Sequence, residues 1–371
     1  MGPNVDMRYL NAEELRDVAR GAAVLGTGGG GDPYLGTLAA LRALDRYGQP
    51  QVVDVAELPE ESLVASAVMV GAPVPLIEKF PLGEELVEAY QALDGFLGGR
   101  LAGLLPFEIG GVNTIVALAL GMRLGLPVVD ADIMGRAYPE LHLVTLTLYG
   151  VKATPFALAD EHGNRAVMNT VDNVWTERVG RAIAIEFGAI CPGMGYVVTA
   201  RQAREAAILG TLSRAQEIGA AIRLAEENKR DAIRDVLDVT GGFLLFRGKI
   251  VDVQRRTQRG WSLGDAVMEG TDEYAGRTMV VQFQNENLVA RLDGEVVASV
   301  PDLITVLDAD SGQAITTERL RYGNRTILLA LPCDEKWRTP AGVELGGPRH
   351  FGYDFDYVPV ESLQGQYSVI T

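Results

Sequence analysis

The chain has 371 residues, of which 47% are hydrophobic and 22% are charged, and its formal net charge is −16. This length exceeds what one hydrophobic core usually supports, so two domains are expected. The acidic balance argues against nucleic acid or an anionic membrane as partner, because phosphate groups require clustered Lys and Arg. Two cysteines are too few for a disulfide framework and no signal peptide is evident at the N-terminus, so the sequence predicts a cytoplasmic protein.

Helices and strands alternate over the first 150 residues. The stretch Asn11 to Glu14 matches a capping box, and the apolar spacing after it predicts a helix from about residue 12 to 25. A second helix is expected up to Tyr47, with Asp32 as N-cap and Pro33 at its first position. Strands are predicted at 51–55, 63–70 and 101–107, and helices at 84–93 and from about 113 to 124. This alternation predicts a layered α/β domain, which we place at residues 1–168.

The pattern changes after residue 150. Residues 156–159 and 165–168 predict a hairpin. Helices are predicted after it at 172–187 and 200–236, and whether they pack on the first domain is left open. From residue 242 onward, short alternating runs predict a mostly antiparallel β domain with a barrel-like part near 238–345. The expected breaks between the runs are Arg247-Gly248, Asp293-Gly294 and Ser311-Gly312. Residues 169–371 therefore form the second predicted domain.

A glycine-rich loop separates the first two predicted helices. Consecutive glycines allow positive φ angles that turn several N–H groups toward one point, and the following helix N-terminus adds a partial positive charge. The loop lacks the Lys of a Walker loop, and a helix instead of a strand precedes it. We expect it to bind a substrate anion or polar oxygen, although a flexible interhelical turn is the alternative. The predicted contacts are Gly28, Gly29, Gly30, Gly31 and Asp32.

A second polar turn follows the predicted strand at 101–107. It contains Glu108, two glycines, Asn113 and Thr114 directly before an apolar helix. Polar groups at the carboxyl ends of buried strands are where open α/β sheets place their ligands. Glu108, Asn113 and Thr114 are therefore candidate substrate contacts. In the alternative interpretation, Asn113 or Thr114 caps the helix and Glu108 is solvated.

The densest reactive stretch runs from Asp130 to His142. Three interpretations remain open for it: a divalent metal site for Zn²⁺ or a similar ion, acid–base and substrate-binding use without a metal, and a structural role in which the aspartates cap loop N–H groups and Arg136 pairs with Glu140. If the chain is extended here, Glu140 and His142 share one face. The catalytic candidates are Asp130, Asp132, Glu140 and His142, and the candidate metal ligands are Asp130, Asp132 and His142. Arg136 is a candidate substrate contact.

Three stretches together resemble one known family. They are GTGGGGDPYLG at residues 26–36, FEIGGVNT with VVDADIMGRAYPEL across 107–141, and GGPRHFGYDFDYVPV at 346–360. In this order the chain resembles the S-methyl thiohydantoin desulfurases, a group associated with hydantoinase and oxoprolinase proteins. The resemblance implies an N-terminal three-layer α/β domain, a C-terminal part with a β-barrel-like domain, and a thiohydantoin or hydantoin ring as substrate type.

Two functions of different classes follow from these observations. In the first, the protein is a hydrolase that cleaves the C–S bond of a thiohydantoin-type ring with an activated water, and His350 reaches over the first domain to contact the substrate. In the second, it is a non-catalytic ligand-binding or accessory subunit of a hydantoinase/oxoprolinase-like complex. Both take a small molecule as ligand, and the sequence leaves open whether the chain forms a homo-oligomer.

Overall fold

The computed structural model describes residues 7–71, 83–258 and 261–367, which build a two-domain protein around two sheets. The first domain contains ten strands: β1 (Met7–Tyr9), β2 (Gln51–Val53), β3 (Leu63–Gly71), β4 (Leu101–Pro106), β5 (Val128–Val129), β6 (Ala131–Asp132), β7 (Phe156–Ala159), β8 (Arg165–Met168), β9 (Ile190–Thr199) and β10 (Ile208–Leu209). Eight of them form one sheet in the order β1-β2-β5-β4-β3-β9-β7-β8, and β6 pairs with β10.

Helices accompany this sheet along the chain. They are α1 (Ala12–Leu25), α2 (Pro33–Tyr47), α3 (Glu84–Leu97), α4 (Asn113–Leu124), α5 (Thr145–Leu148), α6 (Asn173–Glu186), α7 (Ala200–Ala206), α8 (Thr211–Glu227) and α9 (Ala232–Thr240). The predicted capping box is confirmed, since the Asn11 side chain accepts from the N–H of Glu14 and the Glu14 carboxylate accepts from the N–H of Asn11. None of the helices in the described ranges has the length and apolar character needed to cross a membrane.

The central strands β2, β5, β4 and β3 run parallel, which directs their carboxyl ends to the same edge of the sheet. The loops that follow β4 and β5 therefore lie near each other, and they contain the predicted turn at Glu108 and the stretch that begins at Asp130. Strand β9 inserts antiparallel beside β3, so the first sheet continues well past the expected domain boundary at residue 168.

The second domain is a half-barrel of seven antiparallel strands, which confirms the predicted fold class. These are β11 (Phe243–Gln258), β12 (Trp261–Gly270), β13 (Thr278–Gln284), β14 (Glu286–Leu292), β15 (Glu295–Ser299), β16 (Leu303–Asp308) and β17 (Arg325–Leu331). Helices α10 (Glu335–Arg338), α11 (Pro340–Gly346) and α12 (Val360–Tyr367) complete the described chain, with short 3-10 turns at Val55–Glu57, Asp272–Tyr274, Thr317–Arg319 and Pro348–Phe351.

Three local predictions from the sequence are wrong. The expected helix at 200–236 is divided into α7, α8 and α9, because Gly210 adopts a positive φ of 74° and the chain pairs briefly with β6. The extended chain that would place Glu140 and His142 on one face does not form, since the stretch after His142 is a turn and the short helix α5. Gly248 lies inside β11 and not in a break between strands. A Cβ at this position would lie 2.4 Å from the carbonyl oxygen of Glu269 on the paired strand, which explains why a glycine stands there.

The glycine-rich loop joins the two domains. The Thr27 carbonyl accepts from the N–H of Asn287 at 2.8 Å, and the Gly28 carbonyl accepts from the N–H of Thr317 at 2.9 Å. One turn earlier, the Thr305 hydroxyl donates to the Val24 carbonyl at 2.6 Å. The end of α1 and the loop after it are therefore fixed against the second sheet, and the next residues of the loop, Gly29 to Gly31, line the pocket described next.

Candidate active site

A pocket lies where the glycine-rich loop, the carboxyl edge of the first sheet and the start of β14 meet. It leaves about 70 Å³ accessible to the centre of a water molecule. Its polar lining comes from both domains and consists of Gly29, Gly30, Gly31, Glu108, Asn113, Glu140, Arg181, Asn285 and Glu286. The sequence brings the first six of these together as candidates, whereas Arg181, Asn285 and Glu286 are additions from the structure.

The glycine-rich loop is held in place by close backbone contacts. Gly30 has a φ of 73°, and a Cβ on it would lie 2.5 Å from the Cα of Gly110 in the neighbouring turn. Its carbonyl accepts from the N–H of Val112 at 2.6 Å. A Cβ on Gly29 would lie 2.1 Å from Oε1 of Glu286. Part of the predicted cradle thus receives a carboxyl group of the protein itself, while Gly29 to Gly31 also line the open pocket.

Glu108 is fixed in the turn after β4 by an amide with a defined orientation. The carbonyl oxygen of Asn113 accepts from the N–H of Met69 at 2.8 Å, so its NH₂ group faces Glu108 and donates to Oε1 at 2.6 Å. Burial raises the pKa of Glu108 to about 7, and the nearby Asp132 adds to this, against the Asn113 hydrogen bond that lowers it. Glu108 is therefore a buried carboxyl that titrates near neutral pH.

Glu286 enters the pocket from the second domain. Its side chain is 4% exposed, and Oε2 has no hydrogen-bond partner among the described residues. Burial and then the nearby Glu108 carboxyl raise the pKa of Glu286 well above its ordinary value, although Arg136 opposes this. Two buried carboxyls with raised pKa values thus line one pocket, an arrangement typical of catalytic acids and bases.

Glu140 lines the same pocket and contacts two imidazoles. Its Oε2 lies 3.3 Å from Nε2 of His142 and 3.5 Å from Nε2 of His350. Burial alone would raise the pKa of Glu140, but the hydrogen bond with His350 and the charge of His142 outweigh it and lower the pKa. Burial lowers the pKa of His142, against the effect of Glu140. A carboxylate beside a neutral imidazole is therefore the favoured state at neutral pH.

These three side chains also fit a divalent metal. One ligand atom from each lies within 4.8 Å of the other two, a grouping found within the described residues. Ligands bound to tetrahedral Zn²⁺ at about 2.0–2.1 Å lie roughly 3.3 Å apart. The distances from Oε2 of Glu140 to the two imidazole nitrogens, 3.3 and 3.5 Å, are close to this value. The sequence predicts Asp130, Asp132 and His142 as ligands, whereas the structure brings His142 together with Glu140 and His350. Two imidazoles and one carboxylate suit Zn²⁺ or a similar ion.

Arg181 supports the Glu140 side of the pocket from helix α6. It forms an ion pair with Glu177 and donates to the Pro139 carbonyl at 3.1 Å. Glu177 in turn accepts from the N–H of Leu141 at 2.8 Å. The backbone on both sides of Glu140 is therefore fixed by one ion pair from a neighbouring helix, which explains how a loop without regular structure can position a pocket carboxylate.

Asp132 has a different surrounding from Glu140. It is fully buried, and its Oδ2 accepts from the N–H groups of Ile109, Met134 and Gly135 at 3.1, 2.8 and 2.7 Å. Burial raises the pKa of Asp132 to about 7, against the three backbone N–H groups that lower it. Asp132 lies outside the pocket lining and joins the loop after β4 to the loop after β6, so this placement supports the capping interpretation.

Asp130 and Arg136 also bond to the protein instead of facing the pocket. Both carboxylate oxygens of Asp130 accept hydrogen bonds from Ser213 at the start of α8. One accepts from the backbone N–H at 3.0 Å and the other accepts from the hydroxyl. Arg136 does not pair with Glu140. Its fully buried guanidinium donates to four backbone carbonyls and one hydroxyl, namely those of Ala137, Asn287, Pro301, Asp302 and Thr27.

The remaining candidates support the site from behind. Gly28 lies outside the pocket lining with its carbonyl on Thr317, and Asp32 caps α2 and forms an ion pair with Arg319. The Thr114 hydroxyl bonds to the Glu108 carbonyl and to the N–H of Gly110. His350 contacts Glu140 without lining the pocket itself.

Glu286 is not among the candidates predicted from the sequence, although the sequence around it contains a signal. Glu286 stands between Asn285 and Asn287 directly before the apolar residues Leu288 to Ala290. Three polar residues at the start of a buried strand are unusual, because a buried carboxyl is costly without a partner. Asn285 adopts a positive φ of 57° and its side chain accepts from the N–H of Ser262 at 2.9 Å, which turns the chain into β14.

Comparisons with known proteins agree with this architecture. A model of the S-Me-THD-like N-terminal domain matches residues 13–170, and a model of the S-Me-THD-like C-terminal domain matches residues 171–360. Among solved structures, the chain is similar to a crystal structure of a protein from Chromobacterium violaceum, at 24% identity and a TM-score of 0.78. The match covers 95% of this chain and 100% of that chain, and at this identity it concerns the fold. A search of curated proteins found no match.

The two domain models are adjacent and together extend from residue 13 to residue 360, which includes the glycine-rich loop, both buried carboxyls and the Glu140 cluster. The sequence resemblance and the two-domain fold therefore lead to the same result: the chain belongs to the S-methyl thiohydantoin desulfurase-like family.

Proposed function

We propose that the protein is a hydrolase that replaces the sulfur substituent on a thiohydantoin-type ring with an oxygen from water. The observation that carries this proposal is the Glu140 carboxylate, which lines the pocket with two imidazoles behind it. A carboxylate supported by imidazoles can hold a water and accept its proton. The family supports the ring type, and the small pocket at the domain junction, with apolar and polar lining residues, is consistent with it.

Each pocket wall has a role in this proposal. Glu140 accepts a proton from the attacking water, and His142 and His350 hold the carboxylate in position. The N–H groups of Gly30 and Gly31 donate to a ring oxygen, because backbone donors in a fixed loop stabilise a developing negative charge. In the part of the chain that the structure describes, the pocket lining contains three carboxyl groups and one cationic side chain, Arg181, which disfavours an anionic ring. A neutral ring with N–H donors is therefore the preferred ligand.

In a second version of this proposal a divalent metal activates the water, and Glu140, His142 and His350 would hold the ion, so that Glu140 would be a ligand instead of the base. Such an ion would lower the pKa of a bound water and so supply hydroxide at neutral pH. Its presence is tested by metal analysis of protein purified without chelator. A stoichiometric ion that is lost in His350→Ala would support the metal site, and protein with full activity and no ion would reject it.

The activity is tested by incubating the purified protein with S-methylated thiohydantoins and measuring thiol release. We expect turnover by the wild type and a loss of about 10²–10⁴-fold in kcat for Glu140→Gln, the range typical of a catalytic base. Glu84→Gln is a matched control, because this glutamate is exposed and pairs with Arg123 away from Glu140. A wild type that releases no thiol would reject the reaction and favour the accessory-subunit alternative, which copurification with a hydantoinase-like partner would then support.

A further inference from the structure

The second carboxyl group in the pocket, Glu286, has no role in the reaction as proposed so far. It lies across the pocket lining from the first sheet, on a strand of the second domain, and is 4% exposed. Burying an unpaired carboxylate is costly, so a carboxyl without a partner is stable there only when it carries a proton. We propose that Glu286 holds a proton shared with Glu108 and is the general acid that protonates the ring during hydrolysis.

The contacts of the two carboxyls differ in a way that assigns the proton. Glu108 accepts a hydrogen bond of 2.6 Å from Asn113, whose amide is oriented by the N–H of Met69. A donated N–H stabilises the ionised form of a carboxyl. Oε2 of Glu286 has no partner among the described residues. Of the two groups, Glu108 is thus the better anion and Glu286 the better acid.

The charges around the pair agree with a single negative charge. The charge of Asp132 raises the pKa of Glu108, and the charge of Glu318 raises the pKa of Glu286. The charge of Arg136 lowers the pKa of both. Burial raises the pKa of Glu108 to about 7, and burial together with Glu108 raises that of Glu286 well above its ordinary value. On this proposal the two carboxyls keep one proton between them over the neutral range, because an ionised Glu108 raises the pKa of Glu286.

Gly29 explains how the acid is held in place. A Cβ on Gly29 would lie 2.1 Å from Oε1 of Glu286, so only glycine leaves room for the carboxyl against the loop backbone. The N–H of Asn287 donates to the Thr27 carbonyl at 2.8 Å, which fixes the residue next to Glu286 on the same loop. The glycine-rich loop therefore positions an acid from the other domain in addition to offering N–H groups to a ligand.

This assignment rests on the proposed hydrolysis and completes its proton balance. As water oxygen bonds to the ring carbon, Glu140 takes one water proton and Glu286 gives its proton to the ring nitrogen that receives the C=N electron pair. When the intermediate collapses, its hydroxyl proton returns to the Glu108–Glu286 pair, the C–S bond breaks, and the sulfur takes the proton held by Glu140. Water has then supplied one proton to nitrogen and one to the thiol.

The activity test compares Glu286→Gln with Glu318→Gln, which removes a carboxyl near Glu286 but outside the pocket lining. We expect Glu286→Gln to lower kcat by about 10²–10³-fold with little change in KM, because an amide cannot supply the acid proton. The wild type should also lose kcat as the pH rises through the titration of the pair, and the variant should lack this limb. Glu318→Gln should keep the limb. A Glu286→Gln variant with wild-type kcat would overturn the assignment.

A second readout needs no substrate. Infrared difference spectra between the wild type and Glu286→Gln at neutral pH should contain the carbonyl band of a protonated carboxyl. Absence of this band would show that Glu286 is ionised and would overturn the inference whatever the activity. If the wild type releases no thiol but the band is present, the proposed reaction fails while the shared proton of the pair stands.

Discussion

The segment from Asp130 to His142 contains two halves with the same kinds of residue and different surroundings. In the first half, Asp130, Asp132 and Arg136 bond to backbone groups and to the hydroxyls of Ser213 and Thr27, and all three lie outside the pocket lining. In the second half, Glu140 faces the pocket with His142 behind it. Reactive side chains in one short loop can thus divide between holding the fold and serving a site.

The two halves differ because different backbone groups near them lack a hydrogen-bond partner. The first half directly follows β5 and contains β6, where N–H groups and carbonyls of several loop ends need partners, and charged side chains supply them. By the second half, Glu177 and Arg181 already satisfy the backbone on both sides of Glu140. The Glu140 carboxylate is therefore not needed as a partner for the backbone and can face the pocket. We expect first-half variants to lose stability and second-half variants to lose activity.

The largest expected effect in the first half is that of Arg136→Ala. The substitution leaves four carbonyl acceptors and the Thr27 hydroxyl without their donor at the domain junction. We expect a loss of about 5 kcal/mol or more in the free energy of unfolding, since each buried orphan group costs roughly 1–3 kcal/mol. Denaturant unfolding measures it. Arg136→Lys should recover part of the loss, and a variant with wild-type stability would contradict the assigned role.

The second expected effect separates capping from catalysis at Asp132. Asp132→Ala orphans the N–H groups of Ile109, Met134 and Gly135, for an expected loss of about 4 kcal/mol. In Asp132→Asn the side-chain carbonyl can accept the same three bonds, so we expect near wild-type stability and activity. A folded Asp132→Asn protein without turnover would instead assign a chemical role to the carboxylate.

Much of the fold follows from the sequence because its signals are local. Capping at Asn11 and Asp32 fixes where α1 and α2 begin, and the hairpin of β7 and β8 is confirmed around the turn at Asp160. The loops after β4 and β5 can also be found, since each follows an apolar strand with polar residues. The single helix predicted at 200–236 fails because the pairing of β6 with β10 is a contact between distant parts of the chain.

Only the part of the site that comes from the first domain can be predicted from the sequence, because the rest also depends on contacts between distant parts of the chain. Glu108, Asn113 and Glu140 lie on loops of one sheet, whereas Glu286 comes from a strand of the other domain. No local pattern states that β14 packs on the glycine-rich loop. The same limit applies to His350, which the sequence places near the first domain but not beside Glu140. Long-range contacts decide which of several polar residues share a pocket.

The third expected effect concerns the dependence of stability on pH. The pKa of Glu108 is raised from 4.5 to about 7 in the folded chain, so its protonated form is the one that folding favours. The contribution is fully present below 4.5 and is lost as the pH rises to about 7, for a total of about 3 kcal/mol. Asp132 acts in the same direction. Unfolding of the wild type and Glu108→Gln across this range should show a shallower slope in the variant; equal slopes would contradict the burial of an ionisable group.

The smallest expected effect tests Asp130, where the first half of the segment meets α8. Its carboxylate accepts from the N–H and hydroxyl of Ser213 in the first turn of that helix, in the manner of an N-terminal cap. Asp130→Ala should therefore lower the free energy of unfolding by about 1 kcal/mol, the typical value of such a cap, and leave kcat for thiol release unchanged. Ser213→Ala removes the hydroxyl alone and should cost less. If Asp130→Ala abolished turnover in a stable protein, the division between the two halves of the segment would fail, because its first carboxylate would then serve the reaction as Glu140 does.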